Sequence, residues 1–173
     1  MNLWWRLLLI RLRQVRAPRI SLWDTHVTTF RVVPTDLDVL LHMNNARYLA
    51  LMDLGRYDLL RRSGWWAQIL KRGWGAVVAG QTITYRRSLR LGQRFVLRTR
   101  VVGMDDRWAY LEQRFMVGDD LYAHALVRVR FVKRAGGTVD MADLLEAIGD
   151  VPERLTVEPW MTDWTHHTRH PVD

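Results

Sequence analysis

An α+β fold, a five-stranded antiparallel sheet wrapped around one long central helix, is predicted by three features of this sequence. One strongly helical stretch, Ala46 to Arg62, follows a β-branched segment and precedes four further strand-like segments. Those later segments are joined by turns too short for a crossover, so neighbours in sequence must pair antiparallel. The 173 residues, 49% of them hydrophobic, supply one core and little for a second.

Each element has a local reason. Thr25, Val27, Thr29 and Val33 against Phe30 and Val32 make the first strand, and Pro34 cannot continue its ladder. The helix ends at Ser63-Gly64, and Trp65-Trp66 through Gly75 reads as a connecting segment. Gly55, inside the helix, is expected where helix and sheet approach closely, at a propensity cost of about 1 kcal/mol. Ala76 to Leu91 is a long strand with Gly80 as a bulge or close-approach point. Gly92-Gln93 turns it into Phe95 to Val102, where Phe95, Leu97, Thr99 and Val101 alternate with Val96, Arg98 and Arg100. After Gly103 to Asp106 comes Trp108 to Val117. Gly118-Asp119-Asp120 then turns the chain into Leu121 to Val132, with Ala123, Ala125, Val127, Val129 and Phe131 on one face. Asp140 to Ile148 reads as a short helix. The chain thus divides into an N-terminal amphipathic helix (1–19), a single domain (20–150) and a C-terminal tail (151–173) whose Pro152, Pro159 and Pro171 suggest loose attachment.

Composition excludes some chemistry. With no cysteine there is no disulfide, no thiolate nucleophile and no cysteine-ligated zinc, which agrees with a reducing cytoplasm. The net charge of +8 favours a polyanionic neighbour: a nucleic acid, an anionic membrane or the phosphates of a coenzyme. No helix-turn-helix, zinc spacing or RNP-like strand accompanies that charge, so nucleic acid is set aside. The N-terminal segment carries Trp4, Trp5, Leu7, Leu8, Leu9, Ile10 and Leu12 among Arg6, Arg11, Arg13 and Arg16. It is too short and too charged to span a bilayer, and no small-residue cleavage site follows it. On a helical wheel Trp4, Val15, Leu8, Leu12, Trp5 and Leu9 share one arc, with Arg6 and Arg13 opposite. Two readings fit: peripheral membrane contact through residues 1–16, at the inner face of the membrane, or packing on the protein itself or a partner subunit.

The most informative stretch runs from Asp36 to Tyr48, where the first strand gives way to the helix and Asp36, Asp38, His42, Asn44 and Asn45 gather. Backbone N–H groups at a helix start lack internal partners and carry the positive end of the macrodipole, so they can hold Asp38 ionised or receive an oxyanion beside it. The alternative is that the aspartates cap turns and the helix start. Asn44 and Asn45 are good N-cap residues, and the amides of Asn45 and Ala46 are the expected oxyanion donors. His42 orders the loop, or acts as an acid toward a leaving thiolate. Asp53, about two turns into the helix, is a second carboxylate candidate.

The string Leu37-Asp38-Val39-Leu40-Leu41-His42-Met43-Asn44-Asn45-Ala46-Arg47-Tyr48 resembles the signature of hotdog-fold acyl-CoA thioesterases of the 4-hydroxybenzoyl-CoA thioesterase-like superfamily. It is most similar to bacterial long-chain acyl-CoA thioesterases and to eukaryotic THEM-type thioesterase-like proteins. For the latter the resemblance includes Arg86-Arg87-Ser88-Leu89-Arg90-Leu91, and the order of elements fits from Asp24 to Lys133. Leu41 departs from it, since many members carry glycine before the histidine; the departure bears on loop geometry.

The resemblance implies a hotdog fold, a homodimer or tetramer, and hydrolysis of medium- or long-chain thioesters of coenzyme A or acyl carrier protein. Asp38 would be general base or nucleophile, with His42, Asn44 and Asn45 beside it. Asp36 is the weaker candidate, because the bacterial relatives need no acid there. Tyr48, Arg86, Arg87 and Arg90 are expected to contact substrate, with Arg94, Arg98 and Arg100 as further guanidinium partners for phosphates. No cofactor and no metal are expected: coenzyme A would be a product, and His166, His167 and His170 read as tail. A non-catalytic acyl-binding or membrane-associated protein of the same fold is the rival reading. Hydration is a lesser one, because the hydratase motif has a different spacing and an Asn-Pro element absent here.

Overall fold

A computed structural model describes residues 3–14 and 17–168, the side chains of Arg13 and Gln14 excepted. Its elements, in order, are α1 (Leu3–Gln14), β1 (His26–Arg31), a 3-10 turn (Pro34–Asp36), α2 (Asn45–Arg62), α3 (Trp65–Lys71), β2 (Trp74–Tyr85), β3 (Arg94–Met104), β4 (Ala109–Val117), β5 (Asp120–Lys133), α4 (Met141–Ile148) and α5 (Pro159–His167). The strands form one antiparallel sheet in the order β1-β3-β4-β5-β2, and α2 lies across its inner face.

The alternation read from sequence sets the two faces. Phe95, Leu97, Thr99 and Val101 of β3, Leu111, Gln113 and Phe115 of β4, and Ala123, Ala125, Val127 and Val129 of β5 are buried, most of them in one cluster with Leu51, Met52 and Leu59 of α2. Gly55 is where α2 touches the sheet: a methyl there would stand 2.7 Å from Leu97 Cδ2 and 2.9 Å from Thr99 Oγ1. At Gly80 the β2–β5 register shifts, and a methyl would lie 2.7 Å from Arg128 Nε. Buried polar pairs tie β1 to α2, with Asp58 Oδ2 2.7 Å from His26 Nε2 and accepting from Thr28 Oγ1 at 2.9 Å.

Three expectations are corrected. The segment after Gly64 is a helix, α3, which buries Ile69. Strand β2 stops at Tyr85, because the amides of Arg86 and Arg87 both turn to the Tyr122 carbonyl and Leu89 sinks into the core. The C-terminal segment, as far as Thr168, is not loosely held. Trp108, Tyr110 and Leu126 would otherwise face water on the outer side of the sheet, and Met161, Trp164 and Val157 cover them. Arg128 lies over the rings of Trp108 and Trp164 at 5.3 and 5.1 Å and donates to the Thr165 carbonyl at 3.0 Å. Tyr110, hydrogen-bonded to Asp105 and Thr165, has its hydroxyl pushed up to about 12, chiefly by burial. His166 and His167 are exposed on α5, and His170 lies outside the described residues, as does Val15 of the N-terminal arc.

Helix α1 packs on the domain through one side only. Arg6 and Ile10 are buried, and Leu3 and Leu7 join the core cluster.

Candidate functional site

The chain leaves β1, makes the 3-10 turn over Pro34–Asp36 and closes a tight loop before α2 begins. Asp36, buried, pairs with Arg6 of α1 and accepts from the Val33 amide at 2.9 Å, which makes it a structural anchor. Asp38 closes the loop from both main chain and side chain. Its N–H donates to the His42 carbonyl at 2.9 Å, and its Oδ1 accepts from the amides of Leu40 (2.9 Å) and His42 (3.3 Å). Oδ2 has no hydrogen-bond partner among the described residues. The loop-capping role and an available carboxylate oxygen therefore coexist in one side chain. Leu41 sits at φ 60°, the left-handed region that costs a side-chain-bearing residue about 1–2 kcal/mol. That is the position at which the sequence departs from the resemblance, which has glycine there in many members.

Asn44 caps α2, its side chain accepting from the Ala46 amide at 2.9 Å. Of the two amides expected to receive an oxyanion, Ala46 is thus occupied, and the Asn45 N–H is the one without a partner among the described residues. His42 is half-buried and orders the loop through its backbone; it also forms a β-bridge with Arg90. The Met43 amide donates to the Leu89 carbonyl at 2.8 Å, which holds the Arg90 segment beside the Asp38 loop.

The structure distributes the other expected residues unevenly. Arg90 is exposed next to His42, whereas Arg87 is ion-paired with Asp120 at 2.6 Å and Arg86 is exposed where the chain leaves β2. Arg98 and Arg100 point away from α2 on the outer face of the sheet, and Arg94 is exposed at the start of β3, so the six arginines form no single cradle. Tyr48, expected as a substrate contact, lies in the core. It is 2% exposed, edge-on to Tyr85 and Phe115, and its hydroxyl accepts from the Leu89 amide at 3.4 Å. Burial raises its hydroxyl pKa, and its ring locks α2 to the segment behind Arg90.

An apolar cavity lies elsewhere on α2. About 270 Å³ in volume, at the low end of small-molecule pockets, it is lined by Tyr57, Leu60, Trp65, Trp66, Val77, Val78, Val101, Met104, Leu111 and Phe131. Its polar edge is Asp53 and Arg56, an ion pair within one turn of α2. Arg56 is buried, which lowers its pKa, and it donates to Gln113 Oε1 at 2.7 Å; Gln113 in turn donates to the Met52 carbonyl and to Thr99 Oγ1, both at 3.0 Å. Sequence reading singled out Asp53 but missed Arg56 and Gln113, and it placed Trp65-Trp66 in a connecting segment rather than on a helix that walls the cavity. The available signal was Trp65-Trp66 followed by Ile69 and Leu70, a helical spacing hidden inside a segment read as a connection. Among the described residues no group of three or more histidine, aspartate or glutamate side chains is placed to hold a metal ion.

Comparison with known proteins places this geometry. Protein THEM6 of Xenopus laevis is 46% identical over 99 residues, 57% of this chain and 48% of that protein. Protein THEM6 of Drosophila melanogaster is 31% identical over 119 residues, 68% of this chain and 58% of that protein. The chain spans about half the length of the curated relatives it matches. Among solved structures, YbaW, a probable thioesterase of Escherichia coli, superposes with a TM-score of 0.67 at 23% identity, covering 76% of this chain and 98% of that one. A putative oleoyl thioesterase of Lactobacillus plantarum gives 0.67 at 16% identity, covering 79% and 56%. These likenesses show the hotdog fold. The sequence model of the thioesterase-like superfamily matches residues 32–165, from the end of the first strand through the helix that closes the outer sheet face, and the chain belongs to that superfamily.

Proposed function

We propose that the protein hydrolyses medium- or long-chain acyl thioesters of coenzyme A, or of acyl carrier protein, with Asp38 as the reacting carboxylate. The observation that carries this reading is the Asp38 loop. One oxygen is fixed by the Leu40 and His42 amides, the other is without a partner among the described residues, and the Asn45 N–H stands at the positive end of α2. On one route Asp38 takes a proton from water, the hydroxide attacks the thioester carbonyl, and the proton is passed to the departing thiolate. On the other the carboxylate attacks, the thiolate leaves, and water then hydrolyses the mixed anhydride, its proton going to the thiolate. On both the oxyanion is received at that amide. Arg90, beside His42, is the cation nearest this loop in the strand pairing and is the one assigned to the coenzyme phosphates.

The acyl chain is assigned to the cavity, which a second subunit would bring to the Asp38 loop of its partner. Asp53 lies eight residues beyond Asn45 on α2, about 12 Å along the axis, and Leu60 lies about 22 Å along it, so the cavity runs from the middle of the helix toward its C-terminal end, away from the loop. Strand β2 ends the sheet with an edge unpaired among the described residues and with Val77, Val78 and Tyr85 exposed, the form of edge that pairs with another chain. Antiparallel pairing of two β2 edges inverts one copy and brings the Asp38 end of each protomer to the cavity end of the other. We therefore propose a homodimer, alone or paired into a tetramer.

The rival is a protein that binds acyl chains without hydrolysing them. The separation of cavity and carboxylate within one chain favours it if the protein is monomeric. Thiol release from acyl-CoAs of graded chain length, measured on wild type and Asp38→Asn, decides between them. The proposal expects turnover that falls about 10²–10⁴-fold in the variant; full activity in Asp38→Asn refutes the role of Asp38, and tight acyl-CoA binding without turnover selects the rival.

A further inference from the structure

Helix α1 is apolar on two sides, and the domain uses only one of them. Arg6, through its pair with Asp36 and a 3.1 Å hydrogen bond to the Arg31 carbonyl, and Ile10 in the core fix the inner side. On the other side Trp4 (73%), Trp5 (60%) and Leu12 (61%) are exposed, with Leu8 and Leu9 between them. The inner anchor matters, because a buried guanidinium–carboxylate pair fixes which residues face outward.

We propose that α1 docks the protein on an anionic lipid surface, with Trp4, Trp5, Leu8, Leu9 and Leu12 entering the headgroup region. Three observations select lipid over a second copy of the chain. Residues of α1 adjoin β1, which stands at the opposite end of the strand order from β2, so dimerisation through the β2 edge leaves this face uncovered. Paired tryptophans with leucines on one face and an exposed Arg11 on the same helix are the composition of an interfacial helix, and the chain's +8 charge complements anionic headgroups. The twelve described residues of α1, about 18 Å long, are the length of a helix that lies in the interface, and no described helix is long and apolar enough to cross a membrane.

The same end of the molecule carries more exposed apolar surface. The tip of the Asp38 loop exposes Val39, Leu40 and Leu41, and the Arg6–Asp36 pair ties α1 to that loop two residues before Asp38. On the reading of Asp38 as the reacting carboxylate, docking sets the site beside the source of long acyl chains.

The test is flotation of the full chain with vesicles of phosphatidylcholine alone and of phosphatidylcholine mixed with phosphatidylglycerol, with brominated lipids reporting tryptophan insertion. Wild type is expected to bind the mixed vesicles, less so in high salt, and to show quenched tryptophan emission. Trp4→Ser/Trp5→Ser/Leu12→Ser is expected to bind at least about tenfold more weakly with its circular dichroism retained, because all three side chains face outward. Trp5→Ser, the milder variant, covers the case of a misfolded triple variant and is expected to weaken binding several-fold. Equal binding by wild type and Trp5→Ser overturns the proposal, as does wild type that binds neither vesicle. A lower mass in light scattering for the triple variant without any vesicle binding by wild type assigns the face to a second copy instead. None of these readouts depends on hydrolysis.

Discussion

Replacing Gly55 with alanine opposes two effects whose magnitudes decide the outcome. Alanine favours the helical backbone by about 1 kcal/mol over glycine. Against that, the added methyl would stand 2.7 Å from Leu97 Cδ2, 2.9 Å from Thr99 Oγ1 and 3.1 Å from Gln113 Nε2, where carbon contacts prefer about 3.5–4.0 Å. Leu97, Thr99 and Gln113 are all fully buried, so none can swing into solvent. Overpacking of this kind costs about 1–3 kcal/mol. Displacing the Gln113 amide from the Met52 carbonyl and Thr99 adds about 1–3 kcal/mol for buried groups left unpaired. The net expectation is a loss of about 1–5 kcal/mol, centred near 3, or a fall in Tm of about 6–12 °C. Urea unfolding followed by tryptophan fluorescence measures it as a lower midpoint at unchanged slope. A midpoint equal to or above wild type would refute the close approach of α2 to β3 and β4. Because Gln113 also holds Arg56, the variant is expected to disturb the polar edge of the cavity, seen as weaker binding of long acyl-CoAs.

Two further outcomes follow from single side chains. Leu41→Gly relieves a left-handed backbone at φ 60° and loses little burial, since Leu41 is largely exposed; after the glycine's greater unfolded-state entropy it is expected to stabilise by about 0.5–1 kcal/mol in urea unfolding. Leu41→Ala carries the same φ penalty, so an equal gain there would show that φ is not the cause. For Glu112, burial pushes the carboxyl up, but hydrogen bonds from His124, Arg100 and Arg114 outweigh it and hold the group at about 2, below its ordinary 4.5. A depressed folded-state value contributes stability above pH 4.5 that disappears as the pH falls from 4.5 toward 2. The 2.5-unit difference sets an upper bound of about 3 kcal/mol, and the half-exposed arginines reduce it to about 1–2. Glu112→Gln should therefore flatten the stability profile in that window. Parallel loss in wild type and variant would rule the account out.

Much of the architecture was legible because the signals were local. The alternation in Phe95 to Val102 and in Ala123 to Phe131 names the inner face without knowledge of any partner strand, since successive strand side chains must point to opposite faces. Gly55 and Gly80 were readable as points of close approach because a glycine inside regular structure needs a reason. The misreadings also have causes. Helix α3 has tryptophans where a helix start shows polar caps, and α5 begins at a proline in a segment otherwise rich in loop residues. Helix α5 is held by surfaces far away in sequence, Trp108, Tyr110 and Arg128, whereas α3 is held by its neighbours α2 and β2. Tyr48 sits in a motif that reads as functional, yet its position on the inward side of α2 gives it to the core.

By itself the sequence determined the fold class, the Asp38–Asn45 junction and the superfamily, because hydrophobic period, turn residues and a contiguous motif are properties of neighbouring residues. Tertiary structure alone decided which groups in that junction remain available. Asp36 is consumed by Arg6, the Ala46 amide by Asn44, and one oxygen of Asp38 by its own loop, and each of these follows from hydrogen-bond geometry that spacing does not specify. It also decided that the cavity runs from the middle of α2 toward its C-terminal end and that the outer side of α1 faces away from the protein. Burial is a property of the assembled chain: a helical wheel shows which residues share a side, and only packing shows which side is turned inward.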